Sequence, residues 1–362
     1  MDSLVNCARQ LARRSLTIVA FTVLCLSSAV FANDGVKLGD VRFSTVERLR
    51  QMTADELISA EQHAAQGVPE AQVLIGVARQ LGCGWKRDAS VAMEWFRKAA
   101  VQDNLLAQVL LGDMYLAGAV VSKDEKEALR WYHRAAKKDF GPAEAHIGWI
   151  YFGKDNREAA NWFSKAAKKD EVMALVDLAW LYRIGSGVPQ DDRLWFKLSE
   201  RAAELGEAAG YSNLGDAYHE GRFVKKDSGK AAELFRKAAD MGSGGAAYSL
   251  AEMYERGKDV VRDDATANEW YQKSAELNWS PAIALLCERY SKHSPRDDRA
   301  AFFWCYLGTK LDLAEAAKKA RDASKRLPED RIKSITGEVD QWQLRHEPQM
   351  TSCPNIEGLK KD

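Results

Sequence analysis

The sequence has no excess of charge of either sign, with 52 Lys and Arg against 52 Asp and Glu. Without a basic excess or an arginine-rich stripe, nucleic acid is not an expected partner. No HExxH, GxSxG, CxxC or glycine-rich phosphate loop occurs in the 362 residues. Those absences remove the usual zinc-protease, serine-hydrolase, dithiol and nucleotide-binding chemistries. Histidine is scarce and scattered. His63, His133, His146, His219, His293 and His346 never stand one helical turn apart, so no metal-ligand spacing is present. No cofactor and no metal are expected, and beyond residue 32 no apolar run is long enough to span a membrane.

The one long apolar run opens the chain. Arg9, Arg13 and Arg14 precede Leu16 to Ala32, which ends Val30-Phe31-Ala32, small enough for a signal peptidase. At 17 residues the run falls short of the roughly 20 that a spanning helix needs. Residues 1–32 are therefore expected to be a cleaved signal peptide, and the mature chain to be periplasmic or secreted. Removing them leaves 49 bases against 51 acids. Cys25 follows Leu24, where a lipoprotein site wants a small residue, and reads as an ordinary leader residue.

What remains is periodic. In Ala107 to Pro142, Leu110, Leu111, Met114 and Tyr115 recur at helical spacing and Gly118 ends the run. A second run follows Asp124, with Ala128, Trp131, Tyr132, Ala135 and Ala136 on one stripe. Asp124 is placed to cap it, because a carboxylate accepts from the orphan amides of a first turn. Gly112 lacks a side chain, which lets the second helix lay its aromatic pair across the first. Equivalent units start at Ala71, Ala107, Ala143, Ala174, Gly210, Ala246 and Ala282, in steps of 36, 36, 31, 36, 36 and 36. Trp95, Trp131, Trp162, Trp270 and Trp304 hold one position of the second helices and are expected in the core. Paired acids such as Asp191-Asp192 and Asp263-Asp264 suggest an acid and base couple, but they fall at the cap position shared by Asp88, Asp124 and Asp227. One hairpin cannot bury its own apolar face, so neighbouring copies must stack.

The run GSGVPQDD from Gly185 to Asp192, with the recurring Asp, then Ala, Trp and Ala-Ala, resembles the Sel1-like repeat family, relatives of the tetratricopeptide repeats. That resemblance implies an all-α, right-handed superhelical solenoid of antiparallel helix pairs that binds other proteins. It divides the mature chain into an N-terminal lead and capping helix (33–70), seven repeats (71–310), and C-terminal capping helices with a tail (311–362). The lead, Asn33 to Met52, is polar. Envelope members of such families are adaptors, regulators or immunity proteins against secreted toxins. The alternative is a hydrolase of the cysteine-rich repeat type, acting on a cell-wall or beta-lactam substrate. Those relatives carry a cysteine pair in each repeat, and this chain does not.

Four cysteines follow the leader, Cys83, Cys287, Cys305 and Cys353, and four permit three pairings. Cys287 occupies the close-approach position of Gly112 and Cys305 that of Tyr132, which favours a Cys287–Cys305 bridge over two buried thiols.

By analogy with tetratricopeptide geometry, positions two, six and nine after each repeat start line a concave face and are spared from helix packing. Position six carries Asp113, Trp149, Trp180, Asp216 and Glu252; position nine Phe152, Arg183 and His219; position two Val176 and Tyr248. Aromatic and arginine side chains are the usual anchors of interfaces, so a partner is expected on repeats three to five. The competing reading has Trp149 and Trp180 packing on each other. Asp113, Asp216 and Glu252 form an acidic surround suited to a partner with basic groups, such as a toxin or an envelope signalling protein. A second copy of the same chain is a further candidate occupant.

Overall fold

Alternating helical stripes and caps produce helices and nothing else among the described residues. The computed structural model describes residues 38–257, 260–292 and 297–346; the expected leader, His293 and Cys353 lie outside them. Two compact units follow one another, with the boundary between Asp191 and Asp192, inside the loop of the fourth repeat.

The first unit contains α1 (Leu38–Gln51), α2 (Ala54–Ala65), α3 (Pro69–Leu81), α4 (Ala89–Val101), α5 (Leu105–Ala117), α6 (Glu125–Ala136), α7 (Gly141–Tyr151), α8 (Asn156–Ala167) and α9 (Val172–Ile184). The second contains α10 (Asp192–Glu204), α11 (Ala208–Glu220), α12 (Ser228–Asp240), α13 (Gly244–Arg256), α14 (Asp264–Glu276), α15 (Ser280–Lys292), α16 (Asp298–Lys310), α17 (Ala316–Ser324) and α18 (Glu329–His346). From α2 to α9 and from α10 to α17 each helix packs on the next, while α1 packs on α3 and α18 on α16.

Each hairpin is built from the same local chemistry. Gly118 ends α5 at φ 66, a left-handed C-cap that costs glycine little. Asp124 then starts α6, its side chain accepting from Glu127 N at 3.0 Å. Asp88, Asp155, Asp227, Asp263 and Asp297 cap their helices in the same way, each bond satisfying amides that the helix leaves open. In the acid pair Asp263-Asp264 only the first residue caps; the second bonds Arg262 at 2.9 Å.

The two helices of a pair meet where one has no side chain. A Cβ on Gly112 would stand 2.5 Å from the Tyr132 ring, and the same crossing recurs at Gly76 with Phe96, Gly148 with Phe163 and Gly215 with Phe235. These four rings are buried. In the last repeat Cys287 and Cys305 take the two places, with sulfurs 2.07 Å apart and Cα atoms 4.7 Å apart.

Two expectations are corrected. The tryptophans of the second helices are not the core residues: Trp95, Trp131, Trp162 and Trp270 are half-buried, and the residue after each is the buried one. The cause is the 100° step of a helix, which gives the crossing to the second aromatic and turns the first outward. There a cation lies over it: Lys98 on Trp95 at 4.2 Å, Lys165 on Trp162 at 3.8 Å and Lys273 on Trp270 at 4.7 Å. Trp304 alone of this series is buried. The second correction concerns the polar lead. From Leu38 it carries α1, because Leu49 is buried in a cluster with Leu57 and Val46 packs against it.

The short third repeat explains a glycine in the fourth. Asn156 accepts from Gly153 N at 2.6 Å and donates to Ser186 Oγ at 2.7 Å. A Cβ on Gly187 would come within 2.2 Å of the Asn156 backbone. The trimmed loop is thus filled by its neighbour.

Tyr132→Ala should destabilise the first unit by about 3–5 kcal/mol in urea unfolding. Trp131→Ala, losing only a half-exposed ring and its Arg134 contact, should cost about 1 kcal/mol. Equal losses would contradict the division between crossing and outer aromatics.

Candidate functional site

The first helices of repeats two to four carry a continuous polar and aromatic row. It begins at Asp113 on α5, whose Oδ1 accepts from the Tyr132 hydroxyl at 2.6 Å and lies 3.2 Å from His146 Nε2 on α7. His146 is buried, with Nδ1 2.8 Å from the Pro142 carbonyl. A carbonyl only accepts, so Nδ1 is the donor in that bond, and Nε2 is the ring atom that faces Asp113. The Trp149 ring meets the imidazole edge to face at 4.9 Å. Its indole N–H donates to Asp177 Oδ2 on α9 at 2.5 Å. Burial pushes the Asp177 carboxyl up to about 6, against the opposing pull of that indole. One turn beyond Asp177 on α9, Trp180 packs on Phe152 at 5.4 Å, and Phe152 on Phe163 at 6.1 Å.

Trp149 and Trp180 are both half-buried, and their ring contacts are to other residues rather than to each other. Phe152, Val176 and Arg183 are likewise half-buried on the same helices. The positions are therefore open to solvent yet already engaged. His146 and Asp177 were not anticipated. A signal existed: they occupy the third position after the repeat start, where Leu74 and Leu110 stand in the first two repeats.

A model of the Sel1 repeat matches residues 69–104, 105–140, 147–171, 172–207, 208–243, 245–279 and 280–313. The chain belongs to the Sel1 repeat family. No curated protein matches it. Among solved structures it is similar to c5321, a protective antigen present in uropathogenic Escherichia coli strains and displaying an SLR fold. That likeness has 27% identity and a TM-score of 0.55 over 79% of this chain, and the chain spans 63% of the c5321 chain. A Sel1 repeat protein from Oxalobacter formigenes is 28% identical at a TM-score of 0.54, covering 61% of this chain and 94% of that one. The immunity protein Pa5087 from Pseudomonas aeruginosa is 21% identical at a TM-score of 0.41, covering 59% and 83%.

The second unit of this Sel1 repeat chain holds the remaining candidates. Tyr248 on α13 packs edge to face on Tyr271 at 5.1 Å, and the Tyr271 hydroxyl donates to Glu255 at 2.7 Å. Arg289 bonds Glu255 and lies over the Tyr271 ring at 4.6 Å. Glu252 pairs with Arg256 at 2.8 Å. Burial, then Glu252 and Glu255, hold the Tyr248 hydroxyl above the usual phenol range. Asp216 and His219 are half-buried on α11. The ten positions thus form two groups, six in the first unit and four in the second, and few of them are spared from packing. No helix among the described residues is long and apolar enough to cross a membrane.

The folded state holds the Asp177 proton more tightly than the unfolded chain does. This contribution to stability is full below about pH 4 and is lost as pH rises through about 6. Asp177→Asn should remove that pH dependence and stabilise the protein at pH 7 by roughly 1–3 kcal/mol. The Trp149 indole N–H resonance should titrate near pH 6 in wild type and stay fixed in the variant.

Proposed function

We propose that this Sel1 repeat protein is an exported, non-catalytic scaffold that grips a protein partner with the first helices of repeats three and four. The observation supporting this most is that two indole rings, Trp149 and Trp180, remain half exposed while neighbours fix their orientation. An aromatic ring held in place loses little freedom on binding and buries a large area. Asp113 and Asp177 beside these rings favour a partner that presents basic groups, which would meet two carboxylates in a partly desolvated setting. Asp216, Tyr248 and Glu252 make a second patch of similar chemistry. The leader read in residues 1–32 supports an encounter in the periplasm or outside the cell, with the protein acting as an adaptor, a regulator or a toxin-immunity protein.

Catalysis is the weaker reading. His146 is buried behind Asp113 and Trp149, and both of its ring nitrogens have partners. The perturbed carboxyl of Asp177 is bound to an indole rather than to a second titrating group. Neither is arranged as a nucleophile with its base.

The test begins with crosslinking in envelope extract, identification of the captured protein by mass spectrometry, and calorimetry with that protein purified. Trp149→Ala and Trp180→Ala should each weaken the interaction by roughly 2 kcal/mol or more with unfolding midpoints near wild type. Unchanged affinity in both variants would remove the proposed face. Amino-terminal sequencing of the exported protein should begin at Asn33; retention of residues 1–32 would refute export by cleavage.

A further inference from the structure

Among the described residues, seven other than glycine have a left-handed backbone, and six of them are Asp, Asn or Glu. Asp and Asn tolerate this region because a short polar side chain bonds locally. The seventh is Phe223, at φ 65, in the loop that joins α11 to α12. A bulky residue there is an outlier. The first and fourth repeats use glycine at that place, Gly84 at φ 80 and Gly187 at φ 76, and the second has Val120 without a positive φ. Core filling does not account for the phenylalanine, because it is 51% exposed. Its ring contact is with Phe196 at 5.3 Å, which is itself only half-buried. Strain kept at an exposed position marks a residue held there for something outside the fold.

An independent observation locates that something. Among the described residues, the exposed large hydrophobics of the second unit are Leu194 at 37%, Phe223 at 51% and Val261 at 87%. All three lie at one edge. Leu194 is in the first turn of α10, which Arg222 ties to the Phe223 loop through Asp192. Val261 is on the next loop of the same kind, joining α13 to α14, and such loops share an edge in a stack of hairpins. These side chains come from three separate segments, the first turn of α10 and two loops. A protein partner would need a pocket for each, whereas the boundary zone of a bilayer accepts projecting apolar tips without a matching shape.

The charges fit the same occupant. Carboxylates at this edge are engaged: Asp192 with Arg222, Asp264 with Arg262 at 2.9 Å, and Asp227 and Asp263 as helix caps. Lys225 and Lys226 follow Phe223 after Val224 and are exposed. We propose that this loop edge is a membrane-association surface, at which Phe223 and Val261 enter the headgroup boundary of an anionic bilayer while Lys225 and Lys226 meet its phosphates. The surface uses residues of the second unit and the Trp149 and Trp180 row residues of the first, so either reading stands without the other.

The mature chain is tested by co-sedimentation with vesicles of phosphatidylglycerol and phosphatidylethanolamine, and with vesicles of phosphatidylcholine alone. Binding is expected to the anionic vesicles and to weaken with salt. Phe223→Gly and Phe223→Asn should each lower it about tenfold while the melting temperature stays level or rises, since both residues suit a positive φ. Lys225→Glu with Lys226→Glu should abolish the preference for anionic lipid. Absence of binding to anionic vesicles overturns the proposal. So does a fall in melting temperature in both Phe223 variants with vesicle binding unchanged, which would make Phe223 a packing residue. Self-association lost in Phe223→Gly, without any vesicle binding, would assign the edge to a second copy of the chain instead.

Discussion

The close crossing of an aromatic ring over a residue with little or no side chain is the contact on which the repeats depend. Tyr132 over Gly112 brings two helices near enough that the small residues around them, Ala107, Ala128 and Ala135, close the remaining space and are fully buried. Because this contact is local to one hairpin, it fixes the angle within a pair and leaves the next pair to cover the outer side. A stack with this logic tolerates exchange of the crossing chemistry so long as the approach is kept. The last repeat does so with Cys287 and Cys305, where a covalent link replaces a ring in a groove. It sits just before the closing helices, where Ile335, Val339 and Trp342 of α18 bury the end of the second unit. The fourth repeat makes another exchange on one helix: Trp195 stands where Ala128 stands in the second repeat, and Ser199 where Tyr132 does, and both are buried.

The repeat, its caps and its crossing glycine were legible because each is a local demand. A backbone that leaves a helix needs an acceptor or a left-handed residue, and sequence displays both as Asp and Gly at fixed spacing. The pairing of Cys287 with Cys305 was legible for the same reason, since both fall on the positions where a glycine and a ring meet in repeats one, two, three and five. What misled was the adjacent pair Trp131-Tyr132. Size alone points to the tryptophan as the core residue, yet only one of two neighbours on a helix can face the crossing. The indole is accommodated outside, where its face takes a cation from the same helix and its edge covers apolar surface.

The candidate site was legible only in outline. Trp149, Phe152 and Trp180 could be read as a cluster from their periodic position, but their partners could not. The bond from the Trp149 indole to Asp177, and the Asp113 to His146 contact, each join one repeat to the next. They depend on how consecutive hairpins are placed against one another, which a repeat pattern within one hairpin does not carry. The one available clue was weak, a polar residue at a position that is leucine in the first, second and last repeats.

Such a residue is costly where it stands. A carboxyl pushed up to about 6 is one the fold would hold better neutral, and a leucine at either His146 or Asp177 would bury more apolar surface with no group to satisfy. The row nonetheless satisfies each member in turn, hydroxyl to carboxylate to imidazole, and indole to carboxylate. A network of this kind adds little net stability but admits one arrangement of its side chains. Its effect is to hold the half-exposed indole of Trp149 in a single orientation between two repeats. An apolar replacement would leave the ring free to turn on the surface, so the polar row exchanges stability for a fixed aromatic edge, which is what recognition of a second molecule requires.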